Sequence, residues 1–295
     1  MWRRVCVVSG LTLALAISAQ GQAPEGFLDV FVVKVKPEKR AEFDAAVKKM
    51  VTANWKNKGD AWIASETSYG EGNTVFFTSL RSNYADIDKG FESFMGALNK
   101  AYGKAVAGKI FQDFSNCIVS SRGELRRRRP ELSASAPTDM AAISRLIGGS
   151  RWVRTVMVRV RPGKTADYEA QLRLIKEARE KASSGSPVLI SQSVAGVQGT
   201  VFYISTLQSS LAGFDNAGAP LPQLLGEAGY AGYQKTVAES VLNSETIINR
   251  YVPELSNPPE EIVSAAPQFW RPKPPPPPKP APTNGGAGSE AARKQ

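Results

Sequence analysis

The chain has 295 residues, 42% of them hydrophobic and 22% charged, which is an ordinary globular composition and enough for two domains. It contains no histidine, which excludes histidine-ligated haem, histidine-based zinc or iron sites, and catalytic triads with an imidazole base. The formal net charge is +10, but much of it lies in the two terminal segments, so nucleic acid is not an expected partner.

The first 23 residues have the pattern of a secretory signal peptide. Arg3 and Arg4 form a short basic region, an apolar run covers residues 5–17, and small residues follow at 18–23. This run is too short for a permanent anchor, and no later stretch is long and apolar enough to span a membrane. The sequence therefore predicts an exported protein, periplasmic or extracellular. Its mature form would keep only Cys117 and could form no intrachain disulfide.

Residues 27–133 read as one unit in which strands and helices alternate. Pro37 stops the first strand and starts a helix, and two later strands are joined by a turn with two glycines. The element order β-α-β-β-α-β is that of a ferredoxin-like unit. The predicted elements are a strand at 27–35, a helix after Pro37, strands at 62–68 and 74–80, a helical region at 84–118 broken near Gly103, and a strand within 119–129.

Residues 151–256 repeat this order after a linker at residues 134–150, in which residues 140–149 form a predicted short helix. The same tetrapeptide ends both units, so we interpret the chain as a tandem duplication. The matched segments are FVVKVKPEKRAEFDAAVKKMV at 31–51 with VMVRVRPGKTADYEAQLRLIK at 156–176, TVFFTSL at 74–80 with TVFYISTL at 200–207, and PELS at 130–133 with PELS at 253–256.

These repeated motifs resemble the dimeric α+β barrel superfamily. A strand ending in V-x-V-K/R-P-G/E-K, an amphipathic helix and a later T-V-F-Y/F strand are similar to its antibiotic-biosynthesis-monooxygenase-like members. The resemblance implies an α+β fold in which two ferredoxin-like units pack sheet against sheet, usually from two chains. Each unit has helices on one sheet face only, so the bare face needs a partner. We expect an intrachain pseudo-dimeric barrel, as a monomer or in a higher oligomer.

The resemblance also bears on chemistry. Members that use haem depend on a histidine, which this chain lacks. Cofactor-independent members oxidise aromatic substrates in a pocket lined by Trp, Asn, Tyr and Arg. We therefore predict no cofactor and no metal.

A pocket is expected in the first unit, because the two units differ at the positions that would line it. Its tryptophans would stack a flat ligand, while Glu66 and Tyr84 would supply hydrogen bonds or proton transfer. In the alternative interpretation, the aromatic residues belong to the core and Glu66 is solvated. The ligand-binding candidates are Asn54, Trp55, Trp62, Glu66, Tyr84 and Arg127.

Residues 126–129 are four consecutive arginines near the end of the first unit. Alternate residues of a strand face opposite sides, so two of the four would face inward or lie under the helices. An unpaired buried arginine is costly, so either the strand has ended, or a carboxylate or an anionic ligand meets these side chains. The alternative is a solvated strand end or an edge blunted by charge.

Residues 267–295 are rich in proline and then in glycine, and they predict a disordered tail whose root is fastened by Phe269 and Trp270. Three functions are consistent with the sequence. The first is an exported, non-catalytic protein that binds a small apolar or aromatic ligand. The second is a cofactor-independent monooxygenase-like or isomerase enzyme acting on an aromatic substrate. The third is a module that contacts an anionic envelope surface through the arginines and the tail.

Overall fold

The computed structural model describes residues 25–183, 185–216 and 218–272. The signal peptide predicted at residues 1–23 and most of the predicted tail lie outside these ranges. In the first half, all elements of the predicted order are present. They are β1 (Phe27–Val35), α1 (Arg40–Asn57), β2 (Ile63–Tyr69), β3 (Thr74–Arg81), α2 (Tyr84–Tyr102), α3 (Lys104–Asn116) and β4 (Ile118–Arg128).

The second half repeats these elements after the linking helix, and two short helices follow it. Gly103 and Gly226, both with positive φ, break the helical segment that precedes the last strand of their half. The elements are α4 (Met140–Gly149), β5 (Trp152–Val160), α5 (Thr165–Lys181), β6 (Val188–Ala195), β7 (Thr200–Gln208), α6 (Leu221–Ser240), β8 (Val241–Tyr251), α7 (Glu260–Val263) and α8 (Pro267–Trp270).

The eight strands form one closed antiparallel barrel in the order β1-β3-β2-β8-β5-β7-β6-β4. The first four strands of the chain form one side and the last four form the other. The two sides join where β2 pairs with β8 and where β4 pairs with β6. This closure confirms the predicted α+β fold, in which two ferredoxin-like units complete a barrel within one chain.

The packing explains why both strand faces are apolar. One core lies between the first sheet and its helices and includes Val33, Phe43 and Leu98. A smaller core lies between α5 and the second sheet. A third cluster lies inside the barrel and joins the two halves, and it consists of Val30, Val32, Phe76 and Ile247. The bare sheet faces thus cover each other, as the duplication requires.

A cap made of α4, α7 and α8 lies at the end of the barrel where β4 and β8 terminate. Ile143 and Ile147 of α4 share a buried cluster with Ile262 of α7 and Trp270 of α8. The Trp270 Nε1 donates a hydrogen bond to the carbonyl of Gly148 at 2.9 Å. The boundary predicted for the tail at residue 267 is therefore too early, because Pro267–Trp270 is helical and packed. Within the ranges given above, no helix is long and apolar enough to cross a membrane.

Candidate functional site

The candidate site is a cavity of about 170 Å³ inside the barrel, on the side closed by α4. Side chains that alternate along the strands point into it, so residues from all eight strands contribute. Most of its wall is apolar. The apolar lining residues include Leu28, Val30, Ile63, Phe76, Leu80, Ile143, Ile147, Val153, Met157, Leu189, Leu207 and Ile247.

The four arginines are divided by the alternation of β4. Arg126 and Arg128 line the cavity, whereas Arg127 is exposed on the outside of the barrel. The strand ends at Arg128, and Arg129 follows it at the lip of the cavity. The expectation that two of the four arginines face inward is therefore met.

Arg126 is neutralised inside the barrel by Glu124, which is only 3% exposed. The Arg126 Nη2 donates to Glu124 Oε2 at 2.6 Å, and the Tyr203 hydroxyl donates to the same oxygen at 2.9 Å. The guanidinium also stacks on the Tyr203 ring, 3.7 Å from its centroid. Arg122 donates to Glu124 Oε1 at 2.7 Å from the opposite side. This network forms the floor of the cavity.

Burial alone would raise the pKa of Glu124, but the charge and hydrogen bonds of Arg126, with those of Arg122 and Tyr203, outweigh it and hold the pKa below its ordinary value. The carboxylate is therefore ionised at neutral pH. Burial raises the pKa of Tyr203 to about 12, so this hydroxyl stays protonated. Neither group is poised to exchange a proton near pH 7.

Arg128 differs from Arg126 and Arg129, which also line the cavity, because it has no acidic partner in the described part of the chain. Its side chain is half-buried, and its Nη1 lies 3.8 Å from the Met140 Sδ at the start of α4. Burial lowers the pKa of Arg128. By contrast, Arg129 is held by Glu131 and by Glu169, the latter at 2.7 Å.

The opposite wall carries Asn249 and Tyr251 of β8. Asn249 is 4% exposed, and its Oδ1 has no hydrogen-bond partner among the described residues. Burial raises the pKa of Tyr251 well above its usual range, so this hydroxyl is neutral. Thr155 and Ser205, which also line the cavity, are hydrogen-bonded to each other at 2.9 Å. The polar groups of the site therefore lie mainly on two opposite strands, with the arginines on β4 and with Asn249 and Tyr251 on β8.

A second, more open depression of about 590 Å³ lies beyond the Glu124 network, at the other end of the barrel. Its wall is more polar than that of the cavity and includes Arg122, Arg159 and Glu245. Met157 lines both spaces and, with the network, lies between them. The barrel thus has a mainly apolar chamber under the cap and a more polar mouth at the opposite end.

None of the six candidates from the sequence lines the apolar cavity. Asn54 is buried at the end of α1, where its side chain accepts a hydrogen bond from the amide of Asp60. Trp62 is buried on the helix side of the sheet; its Nε1 donates to the carbonyl of Leu255 at 2.8 Å, and its ring packs on Phe94. These two residues are structural.

The other candidates also lie outside the barrel interior, Trp55 and Tyr84 on helices and Glu66 and Arg127 on the outer face of strands. Glu66 accepts hydrogen bonds from Arg40 at 2.5 Å and from Arg250 at 3.2 Å. Trp55, Tyr84 and Arg127 are exposed at the surface, with the Tyr84 ring against Phe27 and the Arg271 guanidinium 5.4 Å from the Trp55 ring. The expectation that these residues form one pocket is not met.

Arg128, Asn249 and Tyr251 line the cavity but are not among the six candidates predicted from the sequence. An alignment of the two repeats could have identified them, because residues 126–129 and residues 249–252 end equivalent strands and would therefore reach the same space. The structure verifies this match: the Arg128 amide donates to the carbonyl of Gly26, and the Tyr251 amide donates to that of Arg151, one residue before β1 and β5 respectively.

The residues present do not fit haem or a metal ion. The chain has no histidine, and the described residues contain no group of three potential ligands. The cavity of about 170 Å³ is also smaller than the pockets of about 300–1,000 Å³ that hold drug-sized ligands.

Comparisons with known proteins find similarity in fold only. No family model matches the chain, and no curated protein matches its sequence. An anthrone oxidase-like protein superposes with a TM-score of 0.48 at 12% identity, covering 77% of this chain and 91% of its own. A mutant chlorite dismutase from Candidatus Nitrospira defluvii superposes with a TM-score of 0.44 at 11% identity, covering 82% of this chain and 96% of its own. A haem-binding protein from Thermus thermophilus superposes with a TM-score of 0.44 at 11% identity, covering 79% of this chain and 93% of its own.

Similarities of this size carry no argument about activity. The fold is established by the chain itself, through the strand order of the closed barrel and the equivalent registers of its two halves. In both halves the first strand pairs with the last strand along its whole length, and the helices lie outside. The chain therefore has the dimeric α+β barrel fold that its sequence resembles, with both ferredoxin-like units in one polypeptide.

Proposed function

We propose that this chain is an exported protein that binds a small, mainly apolar ligand inside its barrel without catalysing a reaction on it. The observation that carries this proposal is the capped cavity, whose wall is mainly apolar. A volume of about 170 Å³ suits a single ring, since an apolar protein cavity of about 150 Å³ binds benzene. Export is supported by the pattern of residues 1–23.

The other two functions have less support. The enzyme hypothesis relied on Trp62, Glu66 and Tyr84 around one substrate, and these residues lie apart on the outer face. The lowered pKa of Glu124 and the raised pKa of Tyr203 keep both groups in fixed protonation states, which does not suit general acid–base catalysis. The envelope hypothesis relied on the arginine run, of which only Arg127 is exposed. The tail remains a prediction, because residues 273–295 lie outside the described ranges.

Binding of neutral apolar molecules tests the proposed function. We expect benzene or toluene to bind the purified protein in isothermal titration calorimetry and to raise its melting temperature, because a ligand that binds only the folded state stabilises it. Ser205→Phe would fill the cavity and remove binding. Ser121→Phe, at an exposed position of β4, is the matched control and should bind as wild type does. Equal binding by both variants, or none by wild type, would contradict the proposal.

A further inference from the structure

The three arginines around the cavity differ in whether a carboxylate pairs with them. Arg126 has Glu124 at 2.6 Å, and Arg129 has Glu169 at 2.7 Å. Arg128 lies between them in sequence and lines the same cavity, yet no carboxylate of the described residues lies within 4.0 Å of it. Buried or half-buried cations are normally paired, because removing a charge from water is costly. The chain thus supplies a counterion to two of these arginines and leaves the third without one.

Strand geometry does not by itself require a cation at the position of Arg128. The equivalent residue of the second half is Tyr251, which is neutral at the same place in its strand. Strands β4 and β8 lie opposite each other in the barrel order, so Arg128 and Tyr251 approach the cavity from opposite walls. One wall therefore offers a cation, and the other offers a hydroxyl and an amide.

Asn249 adds a second, independent observation on the neutral wall. It is 4% exposed, it lines the cavity, and its Oδ1 is unpaired in the described structure. Leaving a buried polar atom without a partner is costly, which favours a site completed by a molecule from outside the chain. An amide oxygen accepts a hydrogen bond, so the group that completes this wall is a donor such as a hydroxyl.

From these observations we infer that the ligand is a small apolar acid, whose anionic group pairs with Arg128 and whose apolar body fills the chamber toward β8. A carboxylate matches the planar fork of a guanidinium, which donates two parallel hydrogen bonds. A hydroxyl at the far end of the ligand would satisfy Asn249. This inference rests on the proposed function and names the chemical class of ligand for that site.

The test compares acids with neutral amides of the same shape. Binding of benzoate and benzamide, phenylacetate and phenylacetamide, and hexanoate and hexanamide is measured by isothermal titration calorimetry at neutral pH. We expect wild type to bind the acid of at least one pair roughly tenfold more tightly than its amide, because hydrogen bonds to charged groups are the stronger ones. Arg128→Met should remove this preference. Arg127→Met, on the exposed face of the same strand, is the matched control and should keep it.

Folding of the variants is checked by their melting temperatures without ligand. Arg128→Met should melt no lower than wild type, because it removes a half-buried charge that has no partner in the described structure. Arg128→Gln serves as a second variant that keeps a polar side chain. The inference is overturned if wild type binds every amide as tightly as its acid, if both Arg128 variants keep the acid preference, or if no acid binds. Where toluene binds but no acid is preferred, this inference fails and the proposed function stands.

Discussion

A carboxylate is tolerated in a protein interior only where donors surround it, and Glu124 meets this condition inside the barrel. It accepts hydrogen bonds from Arg122, Arg126 and Tyr203, and the Arg126 guanidinium also lies on the Tyr203 ring. The network forms the floor of the cavity, so it links the stability of the barrel to the shape of the site.

Replacing Glu124 with Gln should destabilise the protein by about 3–5 kcal/mol, because it leaves the 11% exposed Arg126 side chain without a counterion. The free energy of unfolding is measured by urea denaturation. Asp113→Asn is the control, since it removes an exposed ion pair with Lys109 and should cost less than about 1 kcal/mol. A loss for Glu124→Gln no larger than that of the control would show that Arg126 does not need the carboxylate.

The same network predicts a pH dependence. The pKa of Glu124 lies below its ordinary value of 4.5 because its donors outweigh the effect of burial. A lowered pKa in the folded state adds stability above the unfolded-state pKa, and that stability is lost as the pH falls through the folded-state pKa. The gap in unfolding free energy between wild type and Glu124→Gln should therefore be largest near neutral pH and shrink in acid. Urea denaturation of both proteins at neutral and acidic pH measures this difference in unfolding free energy. A difference that does not change with pH would contradict the predicted role of the Glu124 charge.

The residues of the site illustrate what the sequence can and cannot predict. Alternation along the strands correctly separates Trp62 and Glu66 from Ile63 and Ser65, but it does not tell which set faces the barrel interior. Each strand of this barrel is covered on both faces, by helices outside and by the other sheet inside, so both sets are apolar enough to be buried. The closure of the barrel determines which set faces the interior, and it places Trp62 outside, under α2.

At the scale of elements, the cap depends on a close approach between α4 and the segment that follows the barrel. A Cβ built at Gly148 would clash with the carbonyl oxygen of Ile262 and would lie 2.6 Å from the Cβ of Ala265. The Trp270 indole also donates to the Gly148 carbonyl at 2.9 Å. Glycine at this position therefore lets the C-terminal segment hold α4 over the cavity.

Gly148→Ala should destabilise the protein by about 1–3 kcal/mol, because α7 must move away from α4 to admit the methyl group. The adjacent Gly149→Ala is a closely matched control: its Cβ would meet no atom within 4 Å, so its stability should be unchanged or slightly higher. Urea unfolding compares the two variants. Equal stability of the two variants would mean that the contact between α4 and α7 is not tight.

The elements differ in how far the sequence determines them. Two features follow from local backbone preferences, and both were predicted. Gly103 breaks the helical segment because it adopts a positive φ, and Pro37 starts a helix because its φ is fixed. The helices α7 and α8 were not predicted, because four residues have too few internal hydrogen bonds to form a stable helix alone. They form because Ile262 and Trp270 are buried against the cap.

At the scale of the whole molecule, the two halves share one interior. The central cluster combines Val30, Val32 and Phe76 of the first half with Ile247 of the second. The barrel closes only through pairing between halves, where Glu66 lies opposite Arg250 and Arg127 lies opposite Gln192. Each half alone would expose a bare apolar sheet face and two unpaired strand edges.

Separating the chain after residue 139 tests this dependence. Residues 25–139 and 140–272 should each self-associate or precipitate alone, whereas the co-expressed halves should co-purify as a one-to-one complex, as measured by light scattering after gel filtration. The mixed pair is favoured over a homodimer of the first half, because that homodimer would place Arg128 opposite a second Arg128, where the intact chain has Tyr251. A first half that is monomeric and unfolds cooperatively would show that its sheet needs no partner.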